Sequence, residues 1–279
     1  MKRFRNFELL EEIPSTNSYL WELVQKNPTL PELYGVFTRH QTHGKGQRGN
    51  TWHSKPGENI IISFLLRPQF LESNEQFVIS ELASIAVARC LAQFLDEDQK
   101  KQITVKWPND IYYGDKKIAG ILIEHSLTGN TIDYSIIGLG ININERDFPE
   151  DLPNPISLTQ ITGKEYELAE VIAFLLHEIQ EQYQAILRGL RTDLHARYMK
   201  HLYRRDGQFY RMKVHKGYSK RAYAMYSRME LSRCATRTAN CMTMLSKNLN
   251  SYKEIYAINA VQDADTCRQT SDTFVKKEK

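Results

Sequence analysis

Apolar residues recur along this chain with two different periods. Leu168, Val171, Ile172, Leu175, Leu176, Ile179, Tyr183, Ile186 and Leu187 return every three or four positions, which predicts the clearest amphipathic helix in the sequence. Val78, Leu82, Ile85, Leu91, Phe94 and Leu95 predict a second, core-packed helix, and Leu20, Leu23 and Val24 a third. Ser15, Thr16 and Asn17 stand just before the third and are all good helix caps, while Asn27-Pro28 and Leu30-Pro31 end it. Strand signals fill the intervals. Leu9 to Ile13 is a short apolar lead-in broken at Pro14, and Val36-Phe37-Thr38 reads as a strand. Ile60 to Leu66 is a continuous apolar run, expected to be a strand buried on both faces. From Tyr134 to Asn144 the alternation places Ile137, Leu139, Ile141 and Ile143 on one face and Gly138, Gly140, Asn142 and Asn144 on the other. Two glycines weaken a strand, so either a neighbouring element or a ligand must approach that bare face closely. Phe148 to Ser157 is proline-rich and reads as a loop.

Residues 105 to 124 form the segment around which the rest is organised. Two apolar runs flank the turn dipeptide Gly114-Asp115, a tight hairpin signal. A two-residue loop pairs Tyr113 with Lys116, Tyr112 with Lys117 and Asp110 with Ala119. Asp110, Tyr112 and Lys117 then share one face, with Ile111 and Ile118 turned into a core. Asp110 and Lys117 become diagonal neighbours roughly 7 Å apart at the backbone. A carboxylate and an ammonium on a rigid ribbon suit metal-assisted phosphate chemistry; the alternative is a solvated surface ion pair.

The stretch from Arg39 to Trp52 contains Gly44, Gly46 and Gly49 in the order G-x-G-x-x-G. A dinucleotide fold would need a helix next and an acid about 20 residues on. Trp52, Pro56 and Gly57 follow instead, and no Walker order is present. What remains is a glycine loop with two cations, Lys45 and Arg48, whose N–H groups can approach a phosphate, or a flexible polar loop. His40 and His43 would make a metal pair only on a helix.

At 279 residues, 41% hydrophobic and 25% charged, the chain is long enough for one large domain and a small one. No apolar run approaches the roughly 20 residues of a membrane helix, and the basic start lacks a signal-peptide core. Four cysteines without a C-x-x-C pair predict neither a zinc site nor a disulfide framework, so a cytoplasmic protein is expected. The net charge of +4 is unevenly spread. Residues 211–240 carry eight Lys or Arg against Glu230 alone, leaving 29 basic and 32 acidic residues elsewhere. That balance argues against a nucleic-acid-binding body.

Five motifs occur in order between residues 9 and 165: Ser15-Thr16-Asn17; Gln41-Thr42-x-Gly44-Lys45-Gly46-x-Arg48-Gly49-x-x-Trp52; Lys106-Trp107-Pro108-Asn109-Asp110; Lys117-Ile118-Ala119-Gly120-Ile121-Leu122; and Gly138-Leu139-Gly140-Ile141-Asn142. In this the chain strongly resembles the biotin protein ligases. The resemblance implies an α+β fold, with a central mixed sheet and helices packed on it as in class II aminoacyl-tRNA synthetases. Residues 1–200 would form the catalytic domain and 201–279 a small SH3-like β-barrel. It also implies a two-step reaction, in which biotin and ATP give biotinyl-5′-adenylate and a lysine of the biotin carboxyl carrier domain takes the biotinyl group. The carrier would be acetyl-CoA carboxylase or another biotin-dependent carboxylase. Carried over by motif, Ser15, Thr16, Asn17, Gln41, Gly44, Lys45, Gly46, Gln47, Lys117, Gly120, Gly138 and Gly140 would hold biotin. Arg48, Trp52, Asn109, Asp110 and Asn142 would serve ATP, Asp110 would hold Mg²⁺, and Lys117 with Asp110 would be catalytic. No membrane partner is expected, for want of a long apolar run, and no DNA partner, since family members that double as repressors carry an N-terminal helix-turn-helix and only 14 residues precede Ser15; a homodimer is possible. Lipoate ligases share the fold and a catalytic lysine, and a biotinyl-adenylate-binding protein without transfer activity is a further alternative.

There are departures from the family. Lys45 stands where arginine is usual, keeping the charge and losing the bidentate fork. Gln47 and Asn50 stand where some members have arginine. Leu202 to Gly207 is similar to the opening of the family's barrel, and Tyr252 to Ile258 to its last strand. Between Arg211 and Asn250, Val214 is the only Val or Ile. We read that interval as translated out of frame, or otherwise altered, between in-frame ends.

Overall fold

The computed structural model describes residues 7–204, 213–214 and 217–218. The chain opens with β1 (Phe7–Ile13), α1 (Thr16–Lys26), β2 (Gly35–Gln41) and β3 (Ile60–Leu66). Then come α2 (Phe77–Ala92), α3 (Glu97–Lys100), β4 (Ile103–Lys106), β5 (Asp110–Tyr113), β6 (Lys116–Thr128) and β7 (Thr131–Ile141). The described helices end with α4 (Leu158–Thr162), α5 (Leu168–Leu187) and α6 (Arg191–Lys200). Seven strands form one sheet in the order β1-β2-β3-β7-β6-β5-β4. The β1–β2 pair is parallel and the other neighbours are antiparallel. This is the mixed sheet of an α+β fold.

Helices cover both faces. α2 packs on α5 and α6 on one side, over Ile60, Ile62, Phe64, Ile137, Leu139, Ile141 and Ile121. α1 covers the other side, where Leu20 and Val24 meet Val36, Leu65 and Ile136. β3 lies between the two layers, and all seven of its residues are buried, as its unbroken apolar run predicts. Burying a large aliphatic side chain contributes roughly 1.5–3 kcal/mol, so this strand is a major source of the sheet's stability. α5 starts at Leu168 and ends at Leu187, the bounds of its apolar period, with Val171, Leu175, Ile179, Tyr183 and Ile186 inward. Ser15 caps α1, accepting from the Ser18 N–H at 3.4 Å.

The hairpin register differs from the expectation. Tyr113 pairs with Lys116 and Tyr112 with Lys117, but Ile111 pairs with Ala119 and Asp110 with Gly120. A β-bulge has absorbed Ile118 as an extra residue on β6. Ile111 and Ile118 are both fully buried, so the apolar back forms all the same. The free edge of β4 is covered by the chain leaving α6: the Val105 N–H donates to the His201 carbonyl (2.7 Å) and the Tyr203 N–H to the Val105 carbonyl (2.9 Å). Among the described residues no helix is long and apolar enough to cross a membrane. A two-residue pair joins β8 (Lys213–Val214) to β9 (Gly217–Tyr218). Apart from these four residues and 201–204, the barrel reading of 201–279 and the altered-interval reading fall outside the described residues.

Candidate active site

The face of β6 and β7 turned away from α2 is bare where Gly120, Gly138 and Gly140 lie, with Gly120 opposite Gly140 and Gly138 opposite Leu122. Side chains of this chain approach that surface closely. A methyl group on Gly138 would come within 2.9 Å of Asn17 Cγ, and one on Gly140 within 2.6 Å of the Trp52 indole nitrogen. One on Gly120 would meet the same indole at 2.9 Å and Lys117 Cε at 3.3 Å. The strand pair is therefore a trough, overlaid at one end by α1 and along its middle by an aromatic ring from the glycine loop. The Trp52 indole N–H is buried and finds no acceptor among the described residues.

One end of the trough is a polar well. Asn17, buried at the start of α1, donates its amide to Glu124 Oε2 (2.7 Å) and, at 3.4 Å, to the Leu122 carbonyl. Its oxygen accepts from Ser63 Oγ (2.6 Å), which lies 2.7 Å from Thr16 Oγ1. Gln41, at the end of β2, brings its side-chain oxygen to the Thr16 N–H (2.7 Å) and hydroxyl (3.1 Å). Thr16, Asn17 and Gln41 thus meet at this end of the trough. Ser63 and Glu124 belong to the same network without having been singled out. Ser63 is the one hydroxyl in the run from Ile60 to Leu66, and Glu124 is an acid two residues beyond Leu122 on the glycine-bearing face of β6.

The charged pair lies at the hairpin. Lys117 Nζ is 2.7 Å from Asp110 Oδ1, the side chains being 32% and 21% exposed, and 5.5 Å from the centre of the Trp52 ring. The bulge leaves Asp110 opposite Gly120 instead of Ala119, and the Lys117 side chain passes over that glycine to reach it. Two asparagines assigned to ATP have structural partners. Asn109 donates to the Ile121 carbonyl (2.7 Å), and buried Asn142 donates to the Ile156 carbonyl (3.1 Å). Asn142 thereby fastens the proline loop beside Lys117, whose own N–H donates to the Asn154 carbonyl (2.8 Å).

The glycine loop is closed at its base, where Trp52 N–H donates to the Gly44 carbonyl (2.9 Å) and Gly46 N–H to the Asn50 carbonyl (2.7 Å). Lys45 pairs with Thr51 across this base and is exposed. Gln47 and Arg48 lie in a single 3₁₀ turn. The loop's return is anchored by fully buried Glu145, which accepts from the Lys55 N–H (3.2 Å) and from Asn59 Nδ2 (2.5 Å). Among the described residues no cluster of three His, Cys, Asp or Glu side chains is placed to hold a metal ion. Asp110 is the carboxylate beside Lys117 at the hairpin end of the trough. One carboxylate completed by substrate phosphates is a usual Mg²⁺ arrangement, so the donor set fits a metal that arrives with a nucleotide.

Comparison with known proteins gives the same picture. The Biotin/lipoate A/B protein ligase family matches residues 9–142. The bifunctional ligase/repressor BirA of Bacillus subtilis is 35% identical over 176 residues, covering 62% of this chain and 52% of its own length. Human biotin–protein ligase is 35% identical over 187 residues, 66% of this chain and 22% of that one. The chain thus spans about half the length of the bacterial BirA relatives it matches. Among solved structures, the biotin protein ligase from Aquifex aeolicus in complex with biotin and ATP superposes with a TM-score of 0.62 at 26% identity, over 79% of this chain and 86% of that one. Residues 9–142 are thus the part of the chain that is similar to the biotin/lipoate A/B protein ligase family.

Proposed function

We propose that this protein activates biotin with ATP to form biotinyl-5′-adenylate and transfers the biotinyl group to a lysine of a biotin carboxyl carrier domain. The observation that carries the reading is the Lys117–Asp110 pair standing at a glycine trough whose far end is a hydrogen-bonding well. Biotin has a cyclic urea at one end and a carboxylate at the other. The well supplies acceptors and donors for the urea, and the bare glycines leave room for the rings. The dithiolane of lipoate offers no N–H or carbonyl to such a well, which favours biotin over the lipoate alternative.

In the first step a carboxylate oxygen bonds to the α-phosphorus of ATP and the bond to the departing pyrophosphate breaks. Both reactants are anions, so their approach needs positive charge fixed in advance. Lys117 supplies it at the meeting point, and Asp110 keeps the ammonium aimed along the hairpin. With Mg²⁺ bound, Asp110 would contribute an oxygen ligand and the metal would offset phosphate charge. Arg48 and Lys45 on the glycine loop would face the triphosphate, Gly44, Gly46 and Gln47 would lie over biotin, and Trp52 would swing from the trough to cover the adenylate against water. In the second step the carrier's lysine amine attacks the acyl carbon and AMP leaves. The test is carrier biotinylation with biotin, ATP and Mg²⁺, alongside biotin-dependent pyrophosphate release. Wild type should do both, and Lys117→Ala should lose roughly 10²-fold or more in adenylate formation with an unchanged melting curve. Near-normal turnover in Lys117→Ala would refute the assignment, and lipoylation without biotinylation would favour the lipoate alternative.

A further inference from the structure

Proton bookkeeping in the polar well leads to a residue outside the resemblance's site set. Asn17 Nδ2 has two neighbours that can only accept, Glu124 Oε2 at 2.7 Å and the Leu122 carbonyl at 3.4 Å. The amide nitrogen must face them, and the amide oxygen must face Ser63. At 2.6 Å that contact needs a hydrogen, and only the Ser63 hydroxyl has one to give. Ser63 Oγ also lies 2.7 Å from Thr16 Oγ1. Because the Ser63 hydrogen is committed to Asn17, the hydrogen in this second short contact comes from Thr16. The other hydrogen-bonding contact of the Thr16 hydroxyl among the described residues is Gln41 Oε1, at the longer 3.1 Å. The chain therefore runs one way, from Thr16 to Ser63 to Asn17 to Glu124. Thr16 Oγ1 is left with lone pairs only, beside a Gln41 oxygen that the Thr16 N–H already holds at 2.7 Å.

We propose that Glu124 is a positioning residue that sets the polarity of this chain, making Thr16 and Gln41 an acceptor edge selective for the N–H side of a cyclic urea. The inference rests on the biotin reading above and extends it to substrate selection. Glu124 stands across the strand pair from Ile136, one row beyond Gly138, and acts only through Asn17 and Ser63. Without a strong acceptor at position 124 the Asn17 amide can turn over. Ser63 would then accept from Asn17 and give its hydrogen to Thr16. The Thr16 hydrogen would be freed to point at the ligand, so an acceptor would become a donor. A urea N–H would meet another hydrogen there.

The experiment measures binding of biotin and of a biotin methylated on a urea nitrogen, by calorimetry, to the full chain and to Glu124→Ala and Glu124→Gln. Pyrophosphate release gives the KM for ATP in parallel. Wild type should prefer biotin to the methylated analogue by roughly a hundredfold. Glu124→Ala should bind biotin roughly tenfold more weakly, with its preference over the analogue reduced to about tenfold or less and an unchanged KM for ATP. Glu124→Gln, which keeps an oxygen acceptor, should restore both to within about threefold. If Glu124→Ala keeps the wild-type preference, whatever its affinity, the inference fails while the ligase reading stands. It fails equally if Glu124→Gln is as damaged as the alanine variant. A wild-type protein that binds no biotin overturns both.

Discussion

Gly138→Ala and Gly140→Ala add the same methyl group two residues apart on one strand, and the structure assigns them different consequences. At Gly138 the methyl group collides with the Asn17 amide, which is held on both sides. Making room breaks the Ser63-to-Asn17 and Asn17-to-Glu124 hydrogen bonds, about 1 kcal/mol for the first and about 2 kcal/mol for the charge-assisted second. Overpacking adds about 1–2 kcal/mol, for a loss of about 4–5 kcal/mol. In a domain of this size that lowers Tm by roughly 10–15 °C. At Gly140 the nearest atoms to the methyl group all belong to the Trp52 indole. That ring has no hydrogen bond to lose among the described residues and belongs to a loop, so displacing it should cost about 1 kcal/mol and a few degrees. Gly140→Ala nevertheless fills the trough. Thermal melts followed by circular dichroism should separate the two variants, while biotin-dependent pyrophosphate release should be lost in both. Equal melting temperatures, or a Gly140→Ala enzyme with wild-type pyrophosphate release, would refute the reasoning.

Other outcomes follow from buried or ring-bearing groups. Burial holds the His125 imidazole down at about 4, with Ser135 Oγ 2.8 Å from its Nδ1. Its folded pKa lies below the unfolded value of about 6.5, so the unfolded chain takes up a proton first. The folded state should lose roughly 3 kcal/mol as pH falls from about 6.5 to about 4, and His125→Gln should flatten that acid limb in pH-dependent melts. His195 has the opposite sign. Its hydrogen bond with the buried Glu81 carboxyl, at 2.6 Å, raises its pKa against the opposing effect of burial. That contribution is fully present below about 6.5 and is lost as pH rises through the raised folded value, and His195→Gln should remove the alkaline decline that ties α6 to α2. Adding biotin should change the intrinsic fluorescence, because Trp52 must leave Gly140. Trp52→Phe should abolish most of that change, and a change carried instead by Trp21 or Trp107 would count against the displacement.

Several features were legible because one-dimensional pattern and three-dimensional role coincide. The α5 bounds follow from its apolar period, and the seven-residue run of β3 follows from burial on both faces. The bare face of β7 is visible as glycine alternating with isoleucine and leucine, and its inward partners are indeed in the core. The bulge was hidden because Ile118 and Ala119 are both apolar. Either can stand opposite Ile111, so inserting Ile118 as an extra residue leaves the apolar pattern unchanged, while the partner of Asp110 shifts from Ala119 to Gly120. Ser63 was masked by the hydrophobic residues around it, and Glu124 lies just beyond the fourth motif, which ends at Leu122. Its meaning comes from Asn17, 107 positions away, a separation no local pattern records. Nor does any local pattern show that Trp52 would lie on the glycines that invite a ligand.

The short addition of residues 201–204 to β4 has a practical consequence for anyone trimming this protein. The Tyr203 ring lies 5.1 Å from that of Tyr112, its hydroxyl donates to the Asp115 carboxylate at the hairpin tip, and burial with that bond raises its pKa to about 12. A chain stopped after Lys200 would strip this strap from the outermost strand. The Val105 amide and carbonyl would be open to pairing with another molecule, and the turn between Asp110 and Lys117 would lose its brace. Such a fragment should self-associate and fall short in catalysis for reasons unrelated to anything beyond residue 204, whereas one ending just past Arg204 should stay monodisperse.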